Sequence, residues 1–576
     1  MLDGALVRAP ARLRAALGVV WLVGLFLAAR LFWWQIVEMD TLTTRAGEQL
    51  KYHSPIPARR GDIVTADGTL LATDVFLYNV IATPKDLPDP EQVARKLAPI
   101  LGQPYDALLA KLRAREANVV LAQDVPQTVS NAVQDLKKEL KLSGGLGVEG
   151  ALRRVYPANA FAAQVIGFVN LMREPAFGIE YKFDAELRGT EGAVTGISNA
   201  LRDIVPSDVP TTKPAIDGAR ITLTLHSGIQ RIAEAELASA VRAARATGGT
   251  IIVMEVKTGA ILAMASYPAA DLNAFRDPAN KDKYGNPAIS AQYEPGSVFK
   301  IITTACALEA GTVNANSVFD DWGPIIIGGR EIKNHDNLKP GRVTLTDVLR
   351  MSLNVEAAKM SVGLGAGRFY ECVRQFGFGA ATRIELAGEA AGKVKSVGDG
   401  EWREVDLATN AFGQGIAVTP LQMITAVSAV ANQGKLMRPY IVQEVRPAKG
   451  QARVTPIQPV RAVIRPETAQ TLTKILADAI IAESNNKAVV PGYRIAGKTG
   501  TAQIPIVGML DPEWTIASFV GYLPADDPRY AILVKIDKPQ TSEWGSQVAS
   551  PVFASVAKQL VSLVGLPPDS VRAASR

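Results

Sequence analysis

The sequence predicts an α+β fold: an antiparallel sheet with helices on both faces, preceded by a mixed pedestal domain and one transmembrane helix. Three observations carry this. An apolar stretch near the N-terminus, Ala15 to Ile36, is long enough to cross a bilayer. A segment over 37–218 mixes short strands with amphipathic helices and holds no metal cluster, phosphate loop or nucleophile context. From 219 to 566 the order is strand, long helix, hairpin, helical block, strands and closing helix, which suits a sheet covered on both sides. A polar tail follows over 567–576.

The chain has 576 residues, enough for several domains and at least one large core. Its net charge of +6 is small for that length, and the arginines are dispersed, so nothing suggests a nucleic-acid surface. The 3 histidines, His53, His226 and His335, lack metal-ligand spacing and read as surface or hydrogen-bonding residues. Cys306 and Cys372 both fall in apolar helical patterns and read as buried thiols, with neither a disulfide nor a metal role expected.

At the anchor, Arg8, Arg12 and Arg14 precede the apolar stretch, and Glu38 and Asp40 follow it. The excess of positive charge places residues 1–14 in the cytoplasm and everything after 36 outside. A cleaved signal peptide is the competing reading. The apolar run continues past Ala28-Ala29 into Leu31-Phe32-Trp33-Trp34, which favours an uncleaved anchor over 15–36. Arg30 lies near the outer end, where it either snorkels to the headgroups or meets a polar group on a partner helix.

In the pedestal, Ala66-Asp67-Gly68 between apolar runs is a hairpin signal. Amphipathic helices are expected over 91–100 and 126–141, and an extended stretch begins at Arg153-Arg154-Val155-Tyr156-Pro157. Beyond it, a strand at 221–225 leads into a helix over 227–246. A hairpin at 250–264 turns on Lys257-Thr258-Gly259. Helices dominate 297–440, strands return near 493–503, 515–523 and 529–537, and a helix closes the domain over 550–564.

The chemistry centres on Ser297 in Tyr293-Glu294-Pro295-Gly296-Ser297-Val298-Phe299-Lys300. An apolar, helix-forming run follows, so serine sits in the first turn of a helix with lysine one turn on, on the same face. The helix dipole favours negative charge developing near the serine. Serine needs a base, and a lysine serves only if burial or a second cation lowers its pKa. Ser-x-x-Lys alone is cheap: it recurs at Ser484–Lys487 and Ser555–Lys558. Two further signals come in order after it. Ser352-Leu353-Asn354 lies between helical patterns, and Lys498-Thr499-Gly500-Thr501 reads as a strand whose glycine admits close backbone approach. Decoys exist for these too, Lys257-Thr258-Gly259 in a turn and Ser484-Asn485-Asn486 in a polar loop. Only the set 297/300, 352/354 and 498/499/500 combines order with context.

With these residues in place the chain resembles the class B penicillin-binding proteins, the membrane-anchored peptidoglycan transpeptidases, over nearly its whole length. Further resemblance lies in Gly413-Gln414-Gly415-Ile416-Ala417-Val418-Thr419-Pro420-Leu421-Gln422, Ala517-Ser518-Phe519-Val520-Gly521-Tyr522, Arg60-Gly61-Asp62-Ile63 and Gly178-Ile179-Glu180. Tyr156-Pro157, Ala162 to Phe168 and Phe183-Asp184 look more like the septal division branch than the elongation branch. Departures are Val298 where threonine is common, Leu353 within Ser-x-Asn, and His226 in place of a common aspartate; none removes a reacting group.

The resemblance implies the penicillin-binding serine-transpeptidase fold and an acyl-enzyme mechanism without metal or organic cofactor. It assigns Ser297 as nucleophile, Lys300 as base, Ser352 as proton relay and Lys498 as its electrostatic partner. It gives the hydroxyls of Thr499 and Thr501 to the substrate carboxylate, Gly500 to substrate binding, Asn354 to a peptide amide, and the backbone N–H groups of Ser297 and Thr501 to the oxyanion. Peptidoglycan stem peptides are the implied substrates, β-lactams the implied inhibitors, and a SEDS-type glycan polymerase with other division-complex membrane proteins the implied partners. Rival readings are an elongation or sporulation transpeptidase, a D,D-carboxypeptidase or β-lactamase, and a β-lactam sensor or scaffold. No Glu-x-x-Leu-Asn lies between Asn354 and Lys498 to serve deacylation, and 40–218 lacks an acidic constellation for a glycosyltransferase. Pro505 to Leu510 is expected to form a lip over the cleft.

Overall fold

The computed structural model describes the backbone of residues 3–42, 51–197, 211–395, 397–483, 486–506 and 509–574. The chain divides into two units, residues 1–58 with 189–217, and residues 59–188 with 218–576. In the first unit, α1 (Asp3–Phe32) continues into a π-helical turn, Trp33–Val37. Arg12–Val37 is long and apolar enough to cross a membrane. The Arg30 guanidinium lies 5.3 Å from the Trp34 ring centroid, within reach of a cation–π attraction. The same unit holds an antiparallel three-stranded sheet in the order Lys51–Ile56, Gly192–Ile197, Thr211–Lys213.

The second unit begins with β1 (Ile63–Val64) and β2 (Leu70–Ala82), antiparallel across the Asp-Gly turn that the sequence indicates. There Gly68 has φ +85°, a conformation that glycine adopts without a steric penalty. Next come α2 (Pro90–Leu101), β3 (Val119–Val125), α3 (Gln127–Glu139) and β4 (Leu146–Val155). Asp89 caps α2, its carboxylate accepting from the N–H groups of Glu91 and Gln92. Val93, Leu97, Val133 and Leu136 recur at helical spacing and pack on Val80 and Leu121 as a small separate core.

Buried charges tie the pedestal segments together. Arg60 pairs with Glu180 at 2.6 Å and with Asp184 at 2.6 Å; Arg154 pairs with Glu180 at 2.6 Å and with Asp74 at 3.4 Å. Tyr156 donates its hydroxyl to Glu180. Ions so deeply buried persist only when paired in this way.

β5 (Arg220–Leu223) runs parallel to β1, Ile221 opposite Ile63, and antiparallel to β8 (Val442–Arg446). One sheet therefore runs Arg453–Val454, β8, β5, β1, β2, β3, with β4 also on β2. It crosses the boundary expected at 218/219.

α4 (Ser227–Ala243) follows, capped by His226, whose Nδ1 accepts the Gly228 N–H at 3.2 Å. The second sheet takes β6 (Gly248–Glu255), β7 (Ile261–Tyr267), β9 (Ala496–Ile506), β10 (Met509–Leu523) and β11 (Tyr530–Asp537) in the antiparallel order β7-β6-β11-β10-β9. Strand period 2 divides its faces. Ile251 and Val253 pack with α4 and α10 (Ser550–Leu563), and Ile252 and Met254 face the helical block. In that block are α5 (Lys300–Glu309), α6 (Asn354–Leu364), α7 (Ala366–Gln375), α8 (Pro420–Ala431) and α9 (Pro466–Ala482). Every residue of α8 is buried, which explains a helix apolar all round. Thr419 and Gln422 form its capping box, with Pro420 in the first turn. The α+β arrangement with helices on both faces is thus observed.

Three expectations are corrected. Cys306 on α5 and Cys372 on α7 are joined by a disulfide, with Cα atoms 6.0 Å apart. Cys306 is buried as expected and Cys372 only partly so; the two helices pack together, and sequence spacing cannot show that pairing. The helical reading of 297–440 missed two antiparallel hairpins: Val318–Asp321 with Gly341–Thr344, and Ile325–Ile327 with Arg330–Ile332. Gly328-Gly329 between isoleucine-rich and polar segments was the signal for the second of these pairs. Finally, Ser297 lies in a 3-10 turn, Gly296–Phe299, and the α-helix begins only at Lys300. Of the lip expected at 505–510, β9 reaches Ile506 and β10 starts at Met509; Val507 and Gly508 lie outside the described residues.

Candidate active site

Three backbone segments meet at Gly296. Its N–H donates to Gly413 O at 3.1 Å. A Cβ on Gly413, where φ is +78°, would stand 2.2 Å from Gly296 O. A Cβ on Gly500 would meet Ser518 Oγ at 2.5 Å and Pro295 O at 3.1 Å. Both glycines let the turn carrying Ser297 rest directly on its neighbours. Glu294 joins the same contact: its Oε1 accepts the Gly415 N–H at 2.8 Å.

A cavity of about 330 Å³ opens there, lined by Ser297, Ser352, Asn354, Thr499 and Thr501, with His335 and Trp544 on its wall. The His335 and Trp544 rings meet edge to face, centroids 4.4 Å apart. Lys300 is fully buried behind it. Its ammonium donates to the Ser352 carbonyl, to Ser352 Oγ at 3.2 Å and to Asn354 Oδ1 at 2.8 Å. Among the described residues its partners are these groups of Ser352 and Asn354, and not Ser297 Oγ. Such contacts often tighten only when substrate is bound. Ser352 has φ +57°, strained for a residue with a side chain, and that turn presents both its carbonyl and its hydroxyl to Lys300.

Lys498, 6% exposed, sits on β9 and donates to Thr499 Oγ1 at 3.2 Å. Burial, and then the neighbouring Lys498 ammonium, push Lys300 well below the ordinary lysine value. Burial brings Lys498 down to about 8, against the attraction of Glu483. β9 is an edge strand, so alternate backbone groups of residues 498–501 face away from the sheet. Thr501 Oγ1 accepts the Gly545 N–H at 3.1 Å, which leaves its hydroxyl hydrogen free to donate. Ser297 is the second residue of its 3-10 turn, where backbone N–H groups have no acceptor within the turn.

All the residues singled out in the sequence therefore gather here. The Lys257-Thr258-Gly259 decoy is a turn between β6 and β7, and Ser555 lies on α10, bonded to Gln559. Ser484 and Asn485 lie outside the described residues. Sequence reasoning missed Asn334, whose carboxamide reaches the backbone of Asn354 and Val355 from the loop after Ile332. Among the described residues no group of three or more His, Cys, Asp or Glu is arranged to hold a metal.

Comparison with known proteins agrees with this geometry. Residues 249–558 match the penicillin binding protein transpeptidase domain, and residues 55–223 the penicillin-binding protein dimerisation domain. The chain is similar to Stage V sporulation protein D of Bacillus subtilis, 31% identical over 95% of this chain and 85% of that one. It is also similar to the peptidoglycan D,D-transpeptidase FtsI of Escherichia coli K12, 30% identical over 96% and 92%. Penicillin binding protein 3 of Mycobacterium tuberculosis, solved with aztreonam, superposes with a TM-score of 0.68 at 27% identity, covering 89% of this chain and 98% of that one. With both domains matched in order and the three motifs brought around one cavity, the chain belongs to the class B penicillin-binding proteins.

Proposed function

We propose that this chain is a serine-type peptidoglycan D,D-transpeptidase that cross-links stem peptides during septal wall synthesis. The observation that carries the reading is Lys300, buried, pushed toward its neutral form, and bonded to Ser352 and Asn354 beside Ser297. Ser297 Oγ attacks the carbonyl between the two terminal D-alanines while Lys300 takes its proton. The tetrahedral oxyanion is held by the N–H groups of Ser297 and Thr501. As the C–N bond breaks, the leaving D-alanine amine takes a proton through Ser352, which Lys498 polarises. The hydroxyls of Thr499 and Thr501 hold the terminal carboxylate, with Gly500 letting the substrate lie close to the strand. Asn354 donates its second N–H to the peptide. An amine from a neighbouring stem then attacks the ester, and Ser297 regains its proton. A β-lactam enters by the same attack: its ring C–N bond opens and the ester persists.

Residues 15–36 serve as the anchor, 37–218 as the pedestal and 219–566 as the transpeptidase domain. Residues 1–14 lie in the cytoplasm and the catalytic domain outside it. Arg12 and Arg14 ahead of the anchor support that orientation, as does the Cys306–Cys372 disulfide, a bond of oxidising compartments. The anchor and pedestal are surfaces for a SEDS-type glycan polymerase and other division proteins, a reading that rests on family resemblance.

Labelling of the full chain with a fluorescent penicillin tests the site: wild type takes the label and Ser297→Ala does not. Label on both would show that another residue is acylated. Incubation with a stem pentapeptide and an amine acceptor then separates cross-linking from trimming. Similarity to a sporulation protein favours a second reading. A fluorescent fusion that gathers at division septa in growing cells supports the first; one found only at sporulation septa supports the second.

A further inference from the structure

We propose that Asn334 is a positioning residue for this reaction, holding Ser352, Leu353 and Asn354 in the conformation that meets Lys300. The inference rests on the roles proposed above for Lys300, Ser352 and Asn354.

Helix α6 starts at Asn354, and its N-cap residue is Leu353, which has no side-chain acceptor. The first N–H groups of a helix need one. Asn334 supplies it from a distant loop: its Oδ1 accepts from Asn354 N at 2.8 Å and from Val355 N at 3.0 Å. Its Nδ2 donates to Asp321 Oδ2 at 2.6 Å and to Leu338 O at 3.1 Å. Those two acceptors fix which way the amide points, because only the nitrogen end can donate to them. Asp321 is fully buried and Asn334 is 4% exposed, so water does not compete for these bonds.

The bracket continues into the reacting groups. Asn354 Oδ1 accepts from Lys300, and its Nδ2 donates to Lys333 O at 3.2 Å, one residue before Asn334. Ser352, two residues ahead of the capped N–H, is held at positive φ. Strain of this kind persists only where the surroundings over-determine it. Asn334 provides that constraint, and through it the depth of the Ser352 carbonyl and hydroxyl relative to Lys300.

The test uses the full chain in detergent. The acylation rate with a fluorescent penicillin is measured at saturating and subsaturating concentration, alongside thermal unfolding. Variants are Asn334→Ala, Asn334→Asp and the exchange Asp321→Asn with Asn334→Asp. Each single variant is expected to slow acylation by between about 10- and 100-fold at saturation, the scale of a misplaced catalytic group. In Asn334→Asp two carboxylates face each other. The exchange restores a donor at 321 against an acceptor at 334, leaves Leu338 O without its donor, and is expected to recover part of the rate.

Single variants that acylate at the wild-type rate per folded molecule, changing only the melting temperature, overturn the proposal. So does an exchange that recovers nothing. If Asn334→Ala does not fold, the exchange against Asn334→Asp decides by the same criterion. A wild type that takes no label would instead bring down the acyl-transfer reading itself.

Discussion

Lys300 and Lys498 set opposite limits on the rate. Lys300 acts as base only when neutral, so acylation rises with pH through its depressed pKa. Lys498 polarises the relay only when charged, so the rate falls again above about 8. A stopped-flow pH profile of penicillin acylation is expected to be bell-shaped. Lys498→Met removes the second cation, so the acid limb moves to higher pH and the maximum falls by about 10²-fold or more. A variant whose acid limb stays put would show that burial alone lowers Lys300. The reacting side chains themselves were legible in the sequence, because each motif fixes residue types at short spacing. Asn334 was not. It belongs to no motif, and its partners Asp321 and Asn354 lie on other elements. The positive φ of Ser352 was equally hidden, since serine carries no mark of a left-handed turn.

Helices α5 and α7 show what a pattern of side chains can and cannot say. Apolar periodicity located both, and placed Cys306 and Cys372 inward. Which inward faces touch is decided by tertiary packing, and there the disulfide went unseen. Its sequence separation of 66 closes a long loop in the unfolded chain. Cys306→Ser is expected to cost roughly 2–4 kcal/mol of stability. Urea unfolding with and without reductant checks this: reductant should lower the midpoint of the wild type and leave the variant unchanged. The bond joins the helix that begins with Lys300 to its neighbour, so loss of acylation in parallel with loss of the bond is also expected. The small hairpins between 318 and 344 escaped for another reason. Strands of three or four residues give too few alternations to stand out among helices.

Across the whole molecule, the order of elements after residue 219 was enough to indicate an antiparallel sheet between helical layers, whereas the position of the Lys-Thr-Gly strand β9 at the edge of that sheet shows only in the structure. The pedestal was legible as a separate body of sequence, and that separateness is where folding departs from reading order. β1 is a strand of only two residues, yet it slots beside β5, so backbone bonds cross what looks like a seam. A recombinant fragment beginning at 219 would lack Ile63 and Val64 and leave one flank of β5 open. An open flank of this kind recruits other chains. Light scattering on refolded 219–576 should therefore report self-association, and a fragment beginning at 51, which keeps both β1 and the Lys51–Ile56 strand that pairs with Gly192–Ile197, should remain dispersed. Anyone trimming this protein for crystallisation or inhibitor screening would do better to cut ahead of Lys51 than at residue 219.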